Sequence, residues 1–205
     1  MVKKFEFINR EISWLSFNDR VLQEAADERN PLVERMKFLG IFSNNRDEFF
    51  RVRVATVKRI VTLGIRGLDP QYEDPIKLLN QIQKITLKQQ ERFHKIYSEL
   101  LGKLEEKNIF LINESEVEPE HVDFINSYFE TKVYPALVPI MLDNVKEFPY
   151  LKDKEIYFAV ELINNSKKRN KYAIIEIPTG TVGRFLVLPP IGDKKYIMII
   201  DDVIR

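Results

Sequence analysis

The residue types best suited to chemistry lie in one short segment, FSNNRDEFFRVRV, at residues 42–54. Its two neighbouring amides, Asn44 and Asn45, each carry a hydrogen-bond donor and an acceptor, the pattern that reads the edge of an adenine base. We expect a helix to begin at one of them, so that free backbone N–H groups beside the amides would favour a phosphate. These residues predict a small nucleotide or anion site, with a plain helix cap as the alternative.

Arg53 is the second unusual residue, because it falls on the apolar side of the predicted helix. On a wheel of about 100° per residue it lies between Phe49 and Val57. A buried charge without a partner is costly, and arginine effectively cannot lose its proton. Arg53 therefore needs an internal carboxylate, which is our preferred interpretation, or a phosphate of a ligand. The candidate carboxylates are Asp19, Glu24 and Glu34.

No complete catalytic or metal-binding set can be recognised in the sequence. The two histidines, His94 and His121, are expected to be surface or packing residues, and cysteine is absent. There is no phosphate-binding G-x-x-x-x-G-K loop and no G-x-G-x-x-G motif. Asp47 and Glu48 are interpreted as acids that complement the dipole of a helix N-terminus. We therefore predict no catalytic residue and no metal ligand in these 205 residues.

Composition limits the class of protein further. The chain has a net charge of +1 and 44% hydrophobic residues, which allows a packed core and does not favour a nucleic-acid partner. We expect no transmembrane segment and no signal peptide. The basic residues concentrate at positions 35–59, so a polyanion-binding module stays open as an alternative. The lack of cysteine fits a reducing cytoplasm, with peripheral membrane association as a second possibility.

The elements that must position these residues change in character along the chain. Apolar periodicity predicts helices in the first half, over residues 14–28, from Asn30 to Gly40, from Asn44 or Asn45 to about 61, and from 74 to 105, with a break left open near 86–90. The second half predicts one helix over 118–135 and strands over 155–163, 171–178, 184–189 and 195–201. The fold class is therefore α+β. A helical domain spans residues 1–105, and a partial α/β head domain with a mostly antiparallel sheet spans 106–205.

The last residues, IIDDVIR, predict the first turn of a further helix capped by an aspartate. A natural domain rarely ends one turn into an element. We therefore expect the sequence to be a fragment of a longer protein.

The first sixty residues also resemble a known family. EISWLSFNDRVLQEAADERNPLVERMKFLGIFSNNRDEFFRVRVATVKR, residues 11–59, is similar to the opening of bacterial polyphosphate kinases of the long-chain-synthesising type. KNIFLINE and KYAIIEIPTGTVGRFLVLPP, residues 107–114 and 171–190, resemble parts of that family's second domain, the head. The resemblance is dense at the front and looser behind.

This resemblance implies a reversible transfer of the terminal phosphate of ATP to inorganic polyphosphate through a phosphohistidine, with Mg²⁺. The family's catalytic histidines and phosphate-binding arginines lie in C-terminal domains, so this chain alone is expected to be inactive. The second Asn of the family's S-N-N-x-D-E-F motif belongs to the nucleotide site, which implies an ATP contact for Asn45, with Asn44 and Arg53 as weaker candidates. The head is implicated in dimerisation, so we expect a homo-oligomer. A helical docking or dimerisation module remains an alternative.

Overall fold

The computed structural model describes residues 8–64, 74–163 and 170–205. The chain forms two compact units, Met1–Glu106 and Lys107–Arg205. The first unit is helical, and the second combines short helices with two small sheets. The α+β class, with a helical N-terminal part and a mostly antiparallel second part, is therefore confirmed.

The first unit is built from four α-helices. Their bounds are Arg10–Ala26 (α1), Leu32–Glu48 (α2), Ala55–Leu63 (α3) and Pro75–Glu105 (α4). Local sequence explains two of the starts. The Asn9 side chain accepts a hydrogen bond from the Glu11 N–H at 2.9 Å, and Asp74 does the same for Lys77 at 2.9 Å. Pro75 occupies the first turn of α4, where its missing N–H costs nothing.

The helix α2 does not end at Gly40, and no new helix begins at Asn44 or Asn45. Instead α2 continues into a π-helical segment, Phe49–Val54, which leads directly into α3. Both predicted boundaries were wrong, because glycine and asparagine are only weak helix breakers at about 1 kcal/mol or less. Burial of Leu39 and Phe42 on either side of Gly40 outweighs that preference.

The π-helical segment changes which side chains face the core. Phe49 and Val54, five residues apart, are both buried, and Phe49 stacks on Trp14 with ring centroids 4.6 Å apart. Phe50 and Val52 are 41% and 52% exposed, although the wheel predicts both on the apolar side. A wheel with α-helical spacing loses its phase here because hydrogen bonds now join residues five apart.

The long helix α4 runs unbroken through residues 86–90, where a break was left open. Two of its buried polar side chains donate hydrogen bonds to backbone carbonyls, although Oε1 of Gln89 has no partner among the described residues. Thr86 donates to the carbonyl of Ile82 at 3.0 Å, and Gln89 donates through Nε2 to the carbonyl of Leu15 at 3.0 Å. The helices enclose two apolar clusters. Their buried members are Leu15, Phe49, Val54, Val57, Leu78 and Ile82 in one, and Leu22, Ala25, Leu39, Phe42, Ile96 and Leu100 in the other.

The second unit contains six strands in two three-stranded sheets. The strands are Ile109–Ile112 (β1), Pro139–Met141 (β2), Tyr157–Leu162 (β3), Lys171–Glu176 (β4), Phe185–Val187 (β5) and Lys195–Ile199 (β6). One sheet has the order β1-β6-β5, with β1 parallel and β5 antiparallel to β6. The other is antiparallel with the order β2-β4-β3 and pairs Phe158 with Ile175. The short strands β1 and β2 were not predicted.

Helical segments accompany the sheets of the second unit. They are Pro119–His121 (3₁₀), Val122–Tyr128 (α5), Phe129–Val133 (π), Tyr134–Ala136 (3₁₀), Leu142–Asn144 (3₁₀), Thr179–Val182 (α6) and Ile200–Ile204 (α7). The predicted helix over 118–135 is thus present with changing pitch. Residues 164–170, between the predicted strands 155–163 and 171–178, lie outside the described residues except for Asn170. Asp201 and Asp202 lie in the first turn of α7, where Arg184 binds Asp201 with both guanidinium nitrogens.

Candidate nucleotide site on the first unit

Asn45 lies inside α2, half-buried, with its backbone in regular helix. Its N–H therefore takes part in the helical ladder and is not available to an anion. The predicted phosphate site at a helix N-terminus is wrong for this reason. Any binding function of Asn45 must come from its side-chain amide.

A chain of two hydrogen bonds fixes that amide. The Nδ2 of Asn45 donates to the Oδ1 of Asn18 at 3.0 Å, and the Nδ2 of Asn18 donates to the backbone carbonyl of Phe42 at 3.1 Å. Asn18 is completely buried. Within the residues that the structure describes, the Oδ1 of Asn45 accepts no hydrogen bond. The site therefore offers one fixed acceptor at a partly accessible position.

Asn44 does not join this arrangement. It is exposed, and successive residues of a helix point in directions about 100° apart. The two asparagines therefore do not face one ligand atom together, and the adjacent amide pair does not form the joint site that the sequence suggested. Whether Asn44 contacts a nucleotide stays a prediction.

Arg46 brings a positive charge next to Asn45 in the chain. Its guanidinium donates to Oε1 of Gln90 and lies 5.6 Å and 5.9 Å from the ring centroids of Phe42 and Phe93. Its partners are thus an amide and two aromatic rings, and no carboxylate of the described ranges forms an ion pair with it. No carboxylate of the described ranges therefore compensates its charge, and Arg46, like Asn44, points about 100° away from Asn45 around the helix.

Arg53 forms the expected internal ion pair, but with Glu11. The distance from its Nη1 to Oε2 of Glu11 is 3.2 Å, and Arg10 binds the other oxygen of Glu11 at 3.0 Å. The side chain of Glu11 is 1% exposed and that of Arg53 is 40% exposed. The carboxylate is therefore the buried member, and Arg53 is the half-exposed one. The wheel misplaced Arg53 because the π-helical segment shifts its phase.

The three carboxylates proposed for Arg53 have other partners. Asp19 binds Arg92 at 2.9 Å, Glu34 binds Lys37 at 2.7 Å, and Glu24 accepts from Asn30 Nδ2 at 3.1 Å. Sequence reasoning missed Glu11 because it lies 42 positions away in the chain. A nucleotide contact of Arg53 stays a prediction.

The basic run at residues 35–59 does not form a continuous positive surface. Arg35 is buried, donates to the carbonyl of Ala25 at 2.8 Å, and binds Glu99 at 2.9 Å. This hydrogen bond lowers the pKa of the Glu99 carboxyl below its ordinary value. Arg51 forms an ion pair with Glu48, which lies three positions earlier in the chain. Four of the seven basic residues of this run thus have a carboxylate partner, and two of these pairs, Lys37–Glu34 and Arg51–Glu48, lie at the surface.

Asn18 is the site residue that sequence reasoning missed. It occupies a position of α1 that continues the buried stripe of Leu15, Leu22 and Ala25. A polar residue in an apolar stripe is a usable signal, because a buried amide must find hydrogen-bond partners. The identity of those partners depends on how α1 packs against α2, which the stripe alone does not give.

The histidines lie as expected. His94 is exposed and contacts Gln90 through Nε2 at 3.0 Å, whereas His121 is fully buried in the second unit with Nε2 2.9 Å from the carbonyl of Pro189. Across residues 8–64, 74–163 and 170–205, no group of three or more potential ligands could hold a metal ion. A contribution of Mg²⁺ stays a prediction.

The fold and this site define the class as an α+β protein with a polar amide site on a helical unit. Two family models match the chain, the polyphosphate kinase N-terminal domain over residues 7–112 and the polyphosphate kinase middle domain over residues 120–205. The first alone covers more than half of the sequence. The chain therefore belongs to the polyphosphate kinase family.

Individual relatives agree with this assignment. The polyphosphate kinase of Vibrio vulnificus (strain YJ016) is 43% identical over 204 residues, and that of Escherichia coli (strain K12) is 40% identical over 202. Each alignment covers 97% of this chain but only 28% and 29% of the relative. The crystal structure of polyphosphate kinase from Porphyromonas gingivalis matches with a TM-score of 0.83 and 32% identity, over 98% of this chain and 30% of that one.

The helices were also compared with the requirements of a bilayer. In the part of the chain that the structure describes, none of them is both long enough and apolar enough to cross a membrane.

Proposed function

We propose that this chain supplies part of the ATP site of a polyphosphate kinase, an enzyme that transfers the terminal phosphate of ATP reversibly to inorganic polyphosphate through a phosphohistidine. Family membership supports the reaction class. The observation that carries the local role is the amide of Asn45, which is held by Asn18 and leaves its oxygen accessible. ATP or ADP and polyphosphate are the proposed substrates, and nucleic acid is not among the partners.

The described residues contribute positioning and charge. Enzymatic phosphoryl transfer depends mainly on placing the reactants and stabilising negative charge. Asn45 would orient the nucleoside part of ATP, and Arg46 would attract its phosphates. Mg²⁺, when bound by the whole enzyme, would supply further charge neutralisation. The phosphorylated histidine and the remaining phosphate ligands are proposed to lie outside these 205 residues, so the chain alone would be inactive.

One experiment separates these statements. The 205-residue chain and the product of the complete reading frame are each incubated with Mg²⁺ and γ-labelled ATP. Acid-insoluble polymer and acid-labile protein phosphate are then measured. Polymer formation by the longer product alone is the expected result. Polymer formation by the short chain would overturn the assignment of the chemistry to other residues, and His94 and His121 would become the first candidates.

A role in self-association is a second candidate function, favoured by the surface of the second unit. Several large apolar side chains there are exposed, including Val138, Phe148, Tyr150, Phe185 and Val187. Phe185 and Val187 lie on β5, an edge strand of its sheet, and exposed apolar patches often mark interaction surfaces. We propose that a second copy covers this surface in a homo-oligomer. Sedimentation of the complete enzyme with Phe185→Glu tests this, and an unchanged mass would reject it.

The polyanion-binding alternative loses part of its support, because four of the seven basic residues of the run form ion pairs. It predicts binding of polyphosphate by the short chain with a steep salt dependence. A cytoplasmic location is proposed from the lack of cysteine. Fractionation of cells that produce the complete protein would test it, and recovery with the membranes would favour peripheral association.

A further inference from the structure

From the hydrogen-bond chain we infer that Asn18 fixes the orientation of the Asn45 amide, so that its Oδ1 accepts a hydrogen bond from a donor on the nucleoside. The donor would be the 6-amino group of adenine or a ribose hydroxyl. The inference rests on the proposed function, because it assumes that Asn45 contacts the nucleotide. Asn18 is therefore a positioning residue, which acts through Asn45 without touching the ligand.

The direction of the chain is set at its buried end. The carbonyl of Phe42 can only accept a hydrogen bond, so the amide of Asn18 must present Nδ2 to it at 3.1 Å. The Oδ1 of Asn18 then faces Asn45 and requires a donor there. The Nδ2 of Asn45 provides it at 3.0 Å. Rotating either amide by half a turn would bring like groups together.

Burial makes this direction costly to reverse. Asn18 is 0% exposed, so water cannot replace a lost partner. A buried polar group without a partner pays the full cost of its desolvation. The Oδ1 of Asn45 consequently stays available on the half-buried side. In contrast, an exposed asparagine can rotate and offer either its oxygen or its nitrogen to a ligand.

A fixed oxygen acceptor discriminates among the parts of a nucleotide. The 6-amino group of adenine and the ribose hydroxyls can donate to it. The 6-oxo group of guanine or hypoxanthine and the unprotonated oxygens of a phosphate can only accept, so they cannot form this hydrogen bond. Loss of one such hydrogen bond corresponds to roughly a 10- to 100-fold change in preference.

The test uses the product of the complete reading frame and measures kcat/KM for polymer formation. The nucleotides are ATP, inosine triphosphate, purine riboside triphosphate, 2′-deoxy-ATP and 3′-deoxy-ATP. The variants are Asn45→Ala and Asn18→Ala, and Asn80→Ala on the exposed side of α4 is the matched control. Thermal unfolding of each variant confirms that it is folded before rates are compared.

We expect the unmodified enzyme to prefer ATP over the analogues that lack the contacted donor, by roughly 10- to 100-fold. Asn45→Ala should remove this preference. Asn18→Ala should also reduce the preference, because Asn45 can then rotate and place its N–H where its oxygen was. If the base is contacted, this rotation improves use of inosine triphosphate relative to ATP. The purine analogues and the deoxy analogues distinguish a base contact from a ribose contact.

Two results would overturn the inference alone. Asn18→Ala could lower kcat/KM by the same factor for all nucleotides, which would mean a purely structural role. The unmodified enzyme could also use every analogue as well as ATP, which would mean that no nucleoside donor is read. An unchanged rate with ATP in Asn45→Ala would instead reject the proposed function itself.

An isosteric variant, Asn18→Asp, adds a readout that a structural role would not produce. Burial raises the pKa of such a carboxyl. While protonated, it can donate to the Phe42 carbonyl and accept from Asn45, as the amide does. We expect near-normal nucleotide preference at low pH and loss of preference as the carboxyl ionises. A preference that does not change with pH, in a folded variant, would contradict the inference.

Discussion

Each unit of the molecule buries a polar side chain, Asn18 in the first unit and His121 in the second. The two cases differ in the position of the acceptor atom that no hydrogen bond uses. In the first unit the buried Asn18 is fully bonded, and the spare oxygen is carried outward to the half-buried Asn45. In the second unit His121 bonds the carbonyl of Pro189 through Nε2, and its buried Nδ1 has no partner in the structure. The first arrangement can meet a ligand, whereas the second is closed and serves packing.

The largest expected effect concerns the buried histidine of the second unit. His121→Ala removes a ring that packs edge-on against Tyr196, with centroids 4.7 Å apart, and leaves the Pro189 carbonyl without its donor. We expect a loss of about 3 kcal/mol in the free energy of unfolding of the second unit. Urea denaturation measures it, and His94→Ala, at an exposed position, is the matched control. A loss below about 1 kcal/mol would show that the ring is not a packing residue.

The next effect concerns Asn45, the half-buried amide of the first unit. Asn45→Ala in the complete enzyme should weaken ATP use by about 1–2 kcal/mol, because one hydrogen bond to the nucleotide is lost. The free energy of unfolding should also fall, because the buried Oδ1 of Asn18 loses the hydrogen bond from Asn45. Steady-state kinetics at varied ATP concentration measures the first quantity. If stability fell while ATP use did not change, Asn45 would be a structural residue like His121.

A smaller effect tests an ion pair that has one buried and one exposed member. Arg35 keeps the pKa of Glu99 below its ordinary value. A lowered folded-state pKa stabilises the fold above the unfolded pKa, and this contribution is lost as the pH falls through the folded value. Glu99→Gln should therefore lower the free energy of unfolding at neutral pH. The loss should be less than about 1 kcal/mol, because Glu99 is partly exposed. The variant should also lose less stability than the unmodified protein as the pH falls below about 4.5. Equal acid sensitivity in both proteins would contradict this.

The smallest effect is expected at the surface. Hydrogen bonds from the Arg29 side chain lower the pKa of Asp27 to about 2. The sign is the same as for Glu99, so any stabilisation should fade between about pH 4 and pH 2. NMR titration of the Asp27 carboxyl in the unmodified chain and in Arg29→Ala measures the shift. A pKa that stays near 2 after the substitution would exclude Arg29 as the cause.

The sequence predicts the fold class and the long elements well because their signals are local. The stripe of α4 and the β-branched runs of β3, β4 and β6 are periodic over many residues. Gly40 and Asn44 mislead, because packing of their neighbours outweighs a weak intrinsic preference. The short strands β1 and β2 carry too few residues for a periodic signal.

The candidate site is less predictable than the fold. Asn45 can be singled out by its family resemblance, but its amide is fixed by a hydrogen bond to Asn18, 27 positions earlier. The partner of Arg53 also lies far away, at Glu11. Such pairings are set by helix packing, and a pattern along one helix contains no information about the register of its neighbour.

The π-helical segment Phe49–Val54 has a consequence at the level of the gene. A π-turn is equivalent to one residue inserted into an α-helix, and it shifts the two flanking stretches by about 100° relative to each other. Deleting a single codon inside the segment would merge α2 and α3 into one regular helix. Asn45 and Val57 would then have the angular relation that one continuous α-helix imposes. The orientation of Asn45 and the burial of Val57 could no longer be set separately.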